Sequence, residues 1–490
     1  MANKEIVFTF SYNNWALATT LELLANKLGT SGEYVWIDWT GKFVKKHEYF
    51  IASKLVINQT KRRIRRSNLI AELTKLGLHT TFRYENLTPK IVDYKESINE
   101  IAEQVSYLEL ISVVREAKPS KNDYRKLLKE YKKTYINTYI AAITLLRIEK
   151  PNKVFLFNGR FLQERAVWEA CKDLNININF FEKFSPDWLD RYHIFESPTH
   201  SPKYRSNLME AFYIDLMAKG NNNINKLGYK WFNDRVQGIS QNFTKLQIQN
   251  LGLEHLKPYF VFFHSSEDEL ITTDLISKNW GDQISALRSL ISVMNSRKKY
   301  NLIIRLHPNL LHKSPREIKI WQSLGDSISR EYSWVTVVKP ESSINSYRLV
   351  EESLGVVTVG STIGVEAAFM GKKSILLGTA FHEYMGITIN PRSELELDII
   401  LDKVLTNPEK ILAKDNAIKY ALFHYLGGNK MDYVTAIVGK RETRYKFQNF
   451  HIKHSIISQI ITKIMKNIYI KKINIFLGGP CKIVFNFTKK

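Results

Sequence analysis

Cysteine is almost missing from this chain: only Cys171 and Cys481 occur among 490 residues, 310 positions apart. That spacing excludes a disulfide framework and a cysteine metal site, and it suits a reducing compartment. Long apolar runs are missing too. No stretch reaches the roughly eighteen residues a spanning helix needs, so no membrane span is expected. The segment Met1 to Phe8 runs straight into a strand-like pattern without an apolar leader, which points to the cytoplasm. There is no short internal repeat, which excludes a solenoid. Acidic residues are scarce, 48 Asp and Glu against 71 Lys and Arg, for a net charge of +23. Residues 441–490 supply +10 of it, with Glu442 as their single acid, and residues 1–440 carry the other +13. Such an excess implies a polyanionic partner: a membrane surface, a nucleic acid or an anionic glycan.

With 44% hydrophobic and 24% charged residues, what remains is an ordinary globular composition. The length suits two to three domains. Glu5–Phe10 reads as a strand, and Ala16–Leu28 as a helix with Leu17, Leu21, Leu24 and Leu28 on one stripe. Tyr34–Asp38 is the next strand, and Ile101–Lys118 and Tyr124–Arg147 read as helices. A strand over Val154–Phe157 leads into a turn at Asn158-Gly159, a helix from Leu162 to Leu174, and a strand over Ile176–Phe181. This alternation predicts α/β architecture with a parallel sheet covered on both faces. Residues 185–204, with Pro186, Pro198 and Pro202, read as a loop or linker, and a helical pattern follows over 207–250. A second α/β unit opens at Lys257-Pro258. Near the end, Ile456, Ile457, Ile460, Ile461, Ile464 and Ile468 share one helical face, with Lys471, Lys472, Lys482, Lys489 and Lys490 after them. A basic amphipathic segment fits an anionic membrane surface, and it fits equally a stripe packed on the protein body.

Two motifs carry chemistry. Tyr300 to Leu306 reads as a buried strand, so His307 and Pro308 fall at its carboxyl end, where open α/β sheets bind ligands. Gly355 to Val359 is a further strand, Gly360-Ser361-Thr362 a turn, and Gly364 to Met370 a helix whose free N–H groups suit an anion. A strand over Ser374–Leu377 follows. Together they predict a nucleotide-activated donor.

The segments Phe262-Phe263-His264-Ser265-Ser266-Glu267-Asp268-Glu269, Arg305-Leu306-His307-Pro308 and Gly360-Ser361-Thr362-Ile363-Gly364-Val365-Glu366-Ala367 resemble bacterial capsule and lipopolysaccharide glycosyltransferases of GT-B architecture. Phe157-Asn158-Gly159-Arg160, leading to Glu164 and Ala166, resembles the same group. The resemblance implies two Rossmann-like doubly wound domains facing a cleft: an acceptor domain over residues 1–250 and a donor domain over 251–440, followed by a basic extension over 441–490. It also implies sugar transfer from a nucleotide-activated donor to a growing surface polysaccharide or lipid-linked glycan, without cofactor or chelated metal. The His-Pro and Ser-Thr pair is similar to motifs of sialyl- and Kdo-transferases that use CMP-linked donors, which favours a CMP-sugar. The paired-acid-glycine motif of those sialyltransferases is not evident, so an NDP-sugar stays open.

Transfer needs a base for the acceptor hydroxyl and donors for the departing phosphate. His307 suits the second role, since imidazole at a strand end donates to a phosphate oxygen. Ser361, Thr362 and the backbone between Gly360 and Gly364 are expected beside it, with Ser265, Ser266, Arg305, Pro308 and Glu366 as further donor ligands. Ser266 and Glu269 also have the spacing of a capping box. The base is expected from the first domain, as Glu164 with Asn158 and Arg160 nearby on the acceptor side, or as Asp38. The expected setting is the cytoplasm, with the basic tail as a means of attachment to the inner face of the membrane. Two other readings carry distinct signals. A CDP-alditol phosphotransferase of teichoic-acid type also has a His-Pro motif, and a nucleic-acid-binding protein would use Lys61-Arg62-Arg63-Ile64-Arg65-Arg66 and the Lys-rich stretch 121–133. No recognised nucleic-acid module is present, so no nucleic-acid partner is expected.

Overall fold

The computed structural model describes residues 4–9, 14–26, 33–38, 75, 94–185, 188–197, 200–220, 223–237, 256, 258–273, 275–297, 299–403, 410–438, 443–448 and 450–452. In a first sheet, β1 (Lys4–Thr9), β2 (Glu33–Asp38), β3 (Lys153–Phe157) and β4 (Asn177–Ser185) run parallel. β5 (Trp188–Phe195) turns back antiparallel on β4. In a second, β6 (Tyr259–Phe263), β7 (Asn301–Arg305), β8 (Val335–Val338), β9 (Gly355–Thr358) and β10 (Lys373–Leu376) are all parallel. β11 (Asn429–Lys430) returns to pair with β5, and β12 (Val434–Val438), β13 (Thr443–Phe447) and β14 (Phe450–Ile452) make a small antiparallel sheet.

The order of the first sheet is β11-β5-β4-β3-β1-β2, and that of the second is β10-β9-β6-β7-β8. Each order therefore reverses once within its parallel part, between β1 and β3 and between β6 and β9. At such a reversal the connections leave on opposite faces, and the loops at the carboxyl ends part into a crevice. The central strands are apolar because both faces are covered. In β6, Phe260 and Phe262 pack with Leu287 and Leu290 of the helix Gln283–Arg297, whereas Tyr259, Val261 and Phe263 face Leu349 and Ala367. In the first sheet, Ile6, Phe8, Val154 and Leu156 meet the helices Arg125–Glu149 and Leu162–Asp173, and Val7 and Phe155 meet Trp15 and Leu21.

Two expectations about organisation need correction. Residues 185–204 are not simply a loop, because β5 occupies 188–195 and buries Tyr192 and Phe195. The prolines flank that strand, and Pro202 opens the helix Pro202–Ala218, where a missing N–H leaves nothing unsatisfied. The boundary expected at 440 also moves. Glu22, in the helix Asn14–Ala25, accepts the N–H groups of Asp432 (2.7 Å), Tyr433 (2.9 Å) and Val434 (2.9 Å), so the chain is already back on the first unit there. Conversely, Met209, Trp231 and Phe232, from the helices Pro202–Ala218 and Ile224–Val236, pack with Val365, Phe369 and Phe423. These helices thus bury their apolar faces on the second unit. The amphipathic tail over 453–490 and the basic run 61–66 lie outside the described residues. Among the described residues no helix is long and apolar enough to cross a membrane.

Three further contacts join distant parts of the chain. Ala117 N–H donates to Glu317 (3.1 Å), Lys118 pairs with Asp282, and the Ser206 hydroxyl donates to the Phe381 carbonyl (2.9 Å).

Candidate active site

β6, β7 and β9 end in register, with Phe263 opposite both Arg305 and Thr358, so the loops that follow them share one edge of the sheet. Just past that edge two imidazoles are linked through the backbone. His307 N–H donates to His264 Nδ1 (3.2 Å), and His307 Nδ1 accepts the N–H of Asn309 (3.0 Å). An Nδ1 that accepts carries no proton, so each neutral ring holds its hydrogen on Nε2. Burial lowers His307 to about 4, helped by Lys313 and Arg305, and lowers His264 to about 3. At neutral pH His307 is therefore a half-buried, uncharged ring whose Nε2–H is its donor. Pro308 is exposed and opens the 3₁₀ turn Pro308–His312.

Ser265 follows His264 and is clamped at both backbone groups by Gln283, N–H to Oε1 at 2.6 Å and carbonyl to Nε2 at 3.2 Å. Its buried hydroxyl has no hydrogen-bond partner among the described residues. The capping box is not formed: Ser266 starts the helix Glu267–Thr272 without a side-chain bond, and Glu269 N–H goes instead to the Ser266 carbonyl (3.1 Å). Nor are the acids beside it an open metal site. Glu267 accepts Gln283 N–H (2.8 Å), and Asp268 is ion-paired with buried Lys313 (2.5 Å). That pair ties the loop after β7 to the loop after β6.

After β9, Ser361 is half-buried and Thr362 exposed, and Ser361 Oγ accepts Ile363 N–H at 3.4 Å. Gly360 and Gly364 permit close approach. A Cβ on Gly360 would lie 2.8 Å from Leu270 and 3.2 Å from the Thr379 carbonyl, and one on Gly364 would lie 2.8 Å from Ser374 Oγ. Two expected donor ligands are committed elsewhere. Glu366 is buried in an ion pair with Arg235 (2.9 Å), which leaves no open carboxylate for a ribose hydroxyl. Arg305 is 3% exposed and donates to the carbonyls of Lys339 (2.5 Å) and Ser342 (3.1 Å), so it braces the loop after β8.

At the reversal of the first sheet, Asn158 takes a left-handed conformation (φ 57°) and Gly159 another (φ 81°), which turns the chain at the end of β3. Asn158 Nδ2 donates to Glu182 (2.7 Å), and its Oδ1 meets His200 Nε2 (2.9 Å). Arg160 lies half-buried over the Phe161 ring, 4.8 Å from its centroid. Glu164, in the first turn of the helix Leu162–Asp173, is only 4% exposed. Burial raises its carboxyl to about 8, with Glu109 adding to the effect. The base expected there is thus enclosed and protonated at neutral pH. The backbone of Asp38 closes β2, and its side chain lies outside the described residues. Sequence reasoning gave no role to His264, Gln283, Lys313 or Arg205. His264 and Lys313 stand close to the His-Pro motif, but nothing in the sequence marks Arg205.

Residues 160–396 match the family model described as capsule polysaccharide biosynthesis protein. No curated protein matches in sequence. Among solved structures, the chain is similar to the UDP-GlcNAc 2-epimerase of Neisseria meningitidis bound to UDP-GlcNAc, at 14% identity over 86% of this chain and 97% of that one (TM-score 0.31). It is similar to the beta Kdo 2,4 transferase KpsC of Thermosulfurimonas dismutans, at 12% identity over 65% and 88% (TM-score 0.34). At TM-scores of this size the likeness adds nothing to the topology described above. The matched segment contains both the His-Pro loop after β7 and the Gly-Ser-Thr loop after β9.

Proposed function

We propose that this protein is a glycosyltransferase of surface-polysaccharide assembly, moving a sugar from a nucleotide-activated donor, a CMP-sugar by preference, to a growing polysaccharide or lipid-linked glycan. One observation carries the reading: unspent hydrogen-bond donors lie in the loops that follow the neighbouring strands β7, β6 and β9. They are the Nε2–H of His307, the Ser265 hydroxyl and the backbone N–H groups around Ser361 and Thr362. As the sugar–oxygen bond breaks, charge grows on the phosphate oxygen, and fixed donors bind that charge more tightly than they bind the intact donor. Ser266, Pro308, Gly360 and Gly364 shape the same edge. On the first unit, Asp38 keeps the role of base for the acceptor hydroxyl, and Asn158 and Arg160 face the acceptor side. Residues 441–490, with their excess of positive charge, would hold the enzyme against an anionic membrane surface on the cytoplasmic side.

The test is thermal unfolding of wild type and His307→Ala with CMP, CDP, UDP, GDP and dTDP, followed by turnover with the sugar donor so selected. Stabilisation by one nucleotide, lost in the variant together with roughly 10²–10³ in kcat, is the expected result. A variant that turns over like wild type would remove His307 from the mechanism.

A further inference from the structure

Beside the Asn158 turn, two arginines form no ion pair among the described residues. Arg205 stands in the first turn of the helix Pro202–Ala218, its guanidinium carbon 4.8 Å from the Phe195 centroid and 4.7 Å from that of Phe381. Arg160 is stacked in the same way on Phe161. Among the described residues, Nε of each is buried without a hydrogen-bond partner, and neither guanidinium forms an ion pair. His200 links their surroundings: its Nε2 meets Oδ1 of Asn158, two residues before Arg160, at 2.9 Å, and its ring lies 6.4 Å from that of Phe381, on which Arg205 is stacked. Glu182, the carboxylate that acts on Arg205, is already bonded to Asn158 Nδ2 at 2.7 Å. Charge withdrawn from water without a directly paired carboxylate is costly, and a guanidinium held flat on aromatic faces keeps its fork oriented for a planar oxyanion.

Location adds a second argument. Phe381 comes two residues after Thr379, whose carbonyl lies against Gly360 of the proposed donor loop. Arg160 follows β3 at the reversal of the first sheet. The arginines therefore sit where the loops of both sheets meet.

We infer that Arg160 and Arg205 form an oxyanion subsite beside the donor loop, which holds a carboxylate or phosphate group carried by the sugar ligand. The ligand's place in turnover rests on the transferase reading, but binding does not. The full-length protein and the variants Arg160→Gln, Arg205→Gln and Arg205→Lys are titrated at fixed ionic strength with sodium glucuronate, sodium phosphate and glucose, and unfolding temperature is followed. Wild type is expected to be stabilised saturably by one of the anions and not by glucose, with affinity about tenfold weaker in both glutamine variants. A response to glucuronate assigns an acidic sugar, and a response to phosphate a phosphorylated ligand. Arg205→Lys should recover only part of the affinity, since lysine keeps the charge and loses the fork. If Arg205→Gln does not fold, Arg160→Gln decides. No saturable anion response in wild type, or equal responses in wild type and the folded glutamine variants, would overturn the subsite. If no nucleotide stabilises the protein while the anion response still depends on the arginines, the transferase reading fails and the subsite stands.

Discussion

Glu164 shows how far a single residue's setting departs from its place in the sequence. Its carboxyl is raised to about 8 by burial, against an ordinary value of 4.5. Between those two pH values the unfolded chain has released a proton that the folded chain retains, so stability falls as pH rises through that window. Glu164→Gln removes the ionisation. The variant should match wild type near pH 4.5 and gain on it towards pH 8, by up to about 1.4 kcal/mol per pH unit, a few kcal/mol in all. Urea unfolding at a series of pH values checks this, and parallel curves would mean the carboxyl is not buried as described. Sequence reasoning found Glu164 by its place after a strand-end turn. It could not find the enclosure, because Glu109 comes from a helix more than fifty positions earlier in the chain. His307 was legible because a strand, its end and the proline after it are all local. Its tautomer was not, since that depends on Asn309 N–H and on His264 across the sheet edge.

At the scale of elements, the helix Ile363–Phe369 sits against β9 and β10 through a glycine. A methyl group on Gly364 would meet Ser374 Oγ at 2.8 Å and Thr358 Oγ1 at 3.4 Å, and all three positions are buried. Gly364→Ala should lower stability by about 1–3 kcal/mol despite alanine's better helix propensity. Adding Ser374→Ala should restore part of the loss, as read from unfolding temperatures. No recovery would mean that the crowding lies elsewhere. The strands of the parallel sheets were readable because buried central strands are short and continuously apolar. β5 was not, because the prolines at 186, 198 and 202 masked a strand that is held by antiparallel pairing with β4 and β11.

Across the whole molecule, long-range pairs hold the sites in place. Glu366, buried, and Arg235, half-buried, join the helix Ile363–Phe369 to the helix Ile224–Val236. Glu366→Gln removes the charge of a charge-assisted bond to Arg235 and should cost about 1.5–3 kcal/mol. Nucleotide stabilisation of the folded variant should persist, which separates a fastener from a ribose ligand. Loss of nucleotide binding at unchanged stability would restore the ribose role. What the sequence by itself determined was local: which short runs are strands, which turns end them, and that a His-Pro and a Gly-Ser-Thr segment follow such ends. Backbone propensity and apolar period act within a few residues, so these features can be read along the chain. Tertiary structure decided which charged groups remain available. Glu366, Arg305 and Glu164 are withdrawn by partners or burial, whereas Arg160 and Arg205 are left without ion pairs among the described residues. Solvation and pairing depend on neighbours brought from distant parts of the chain, and no local pattern encodes them.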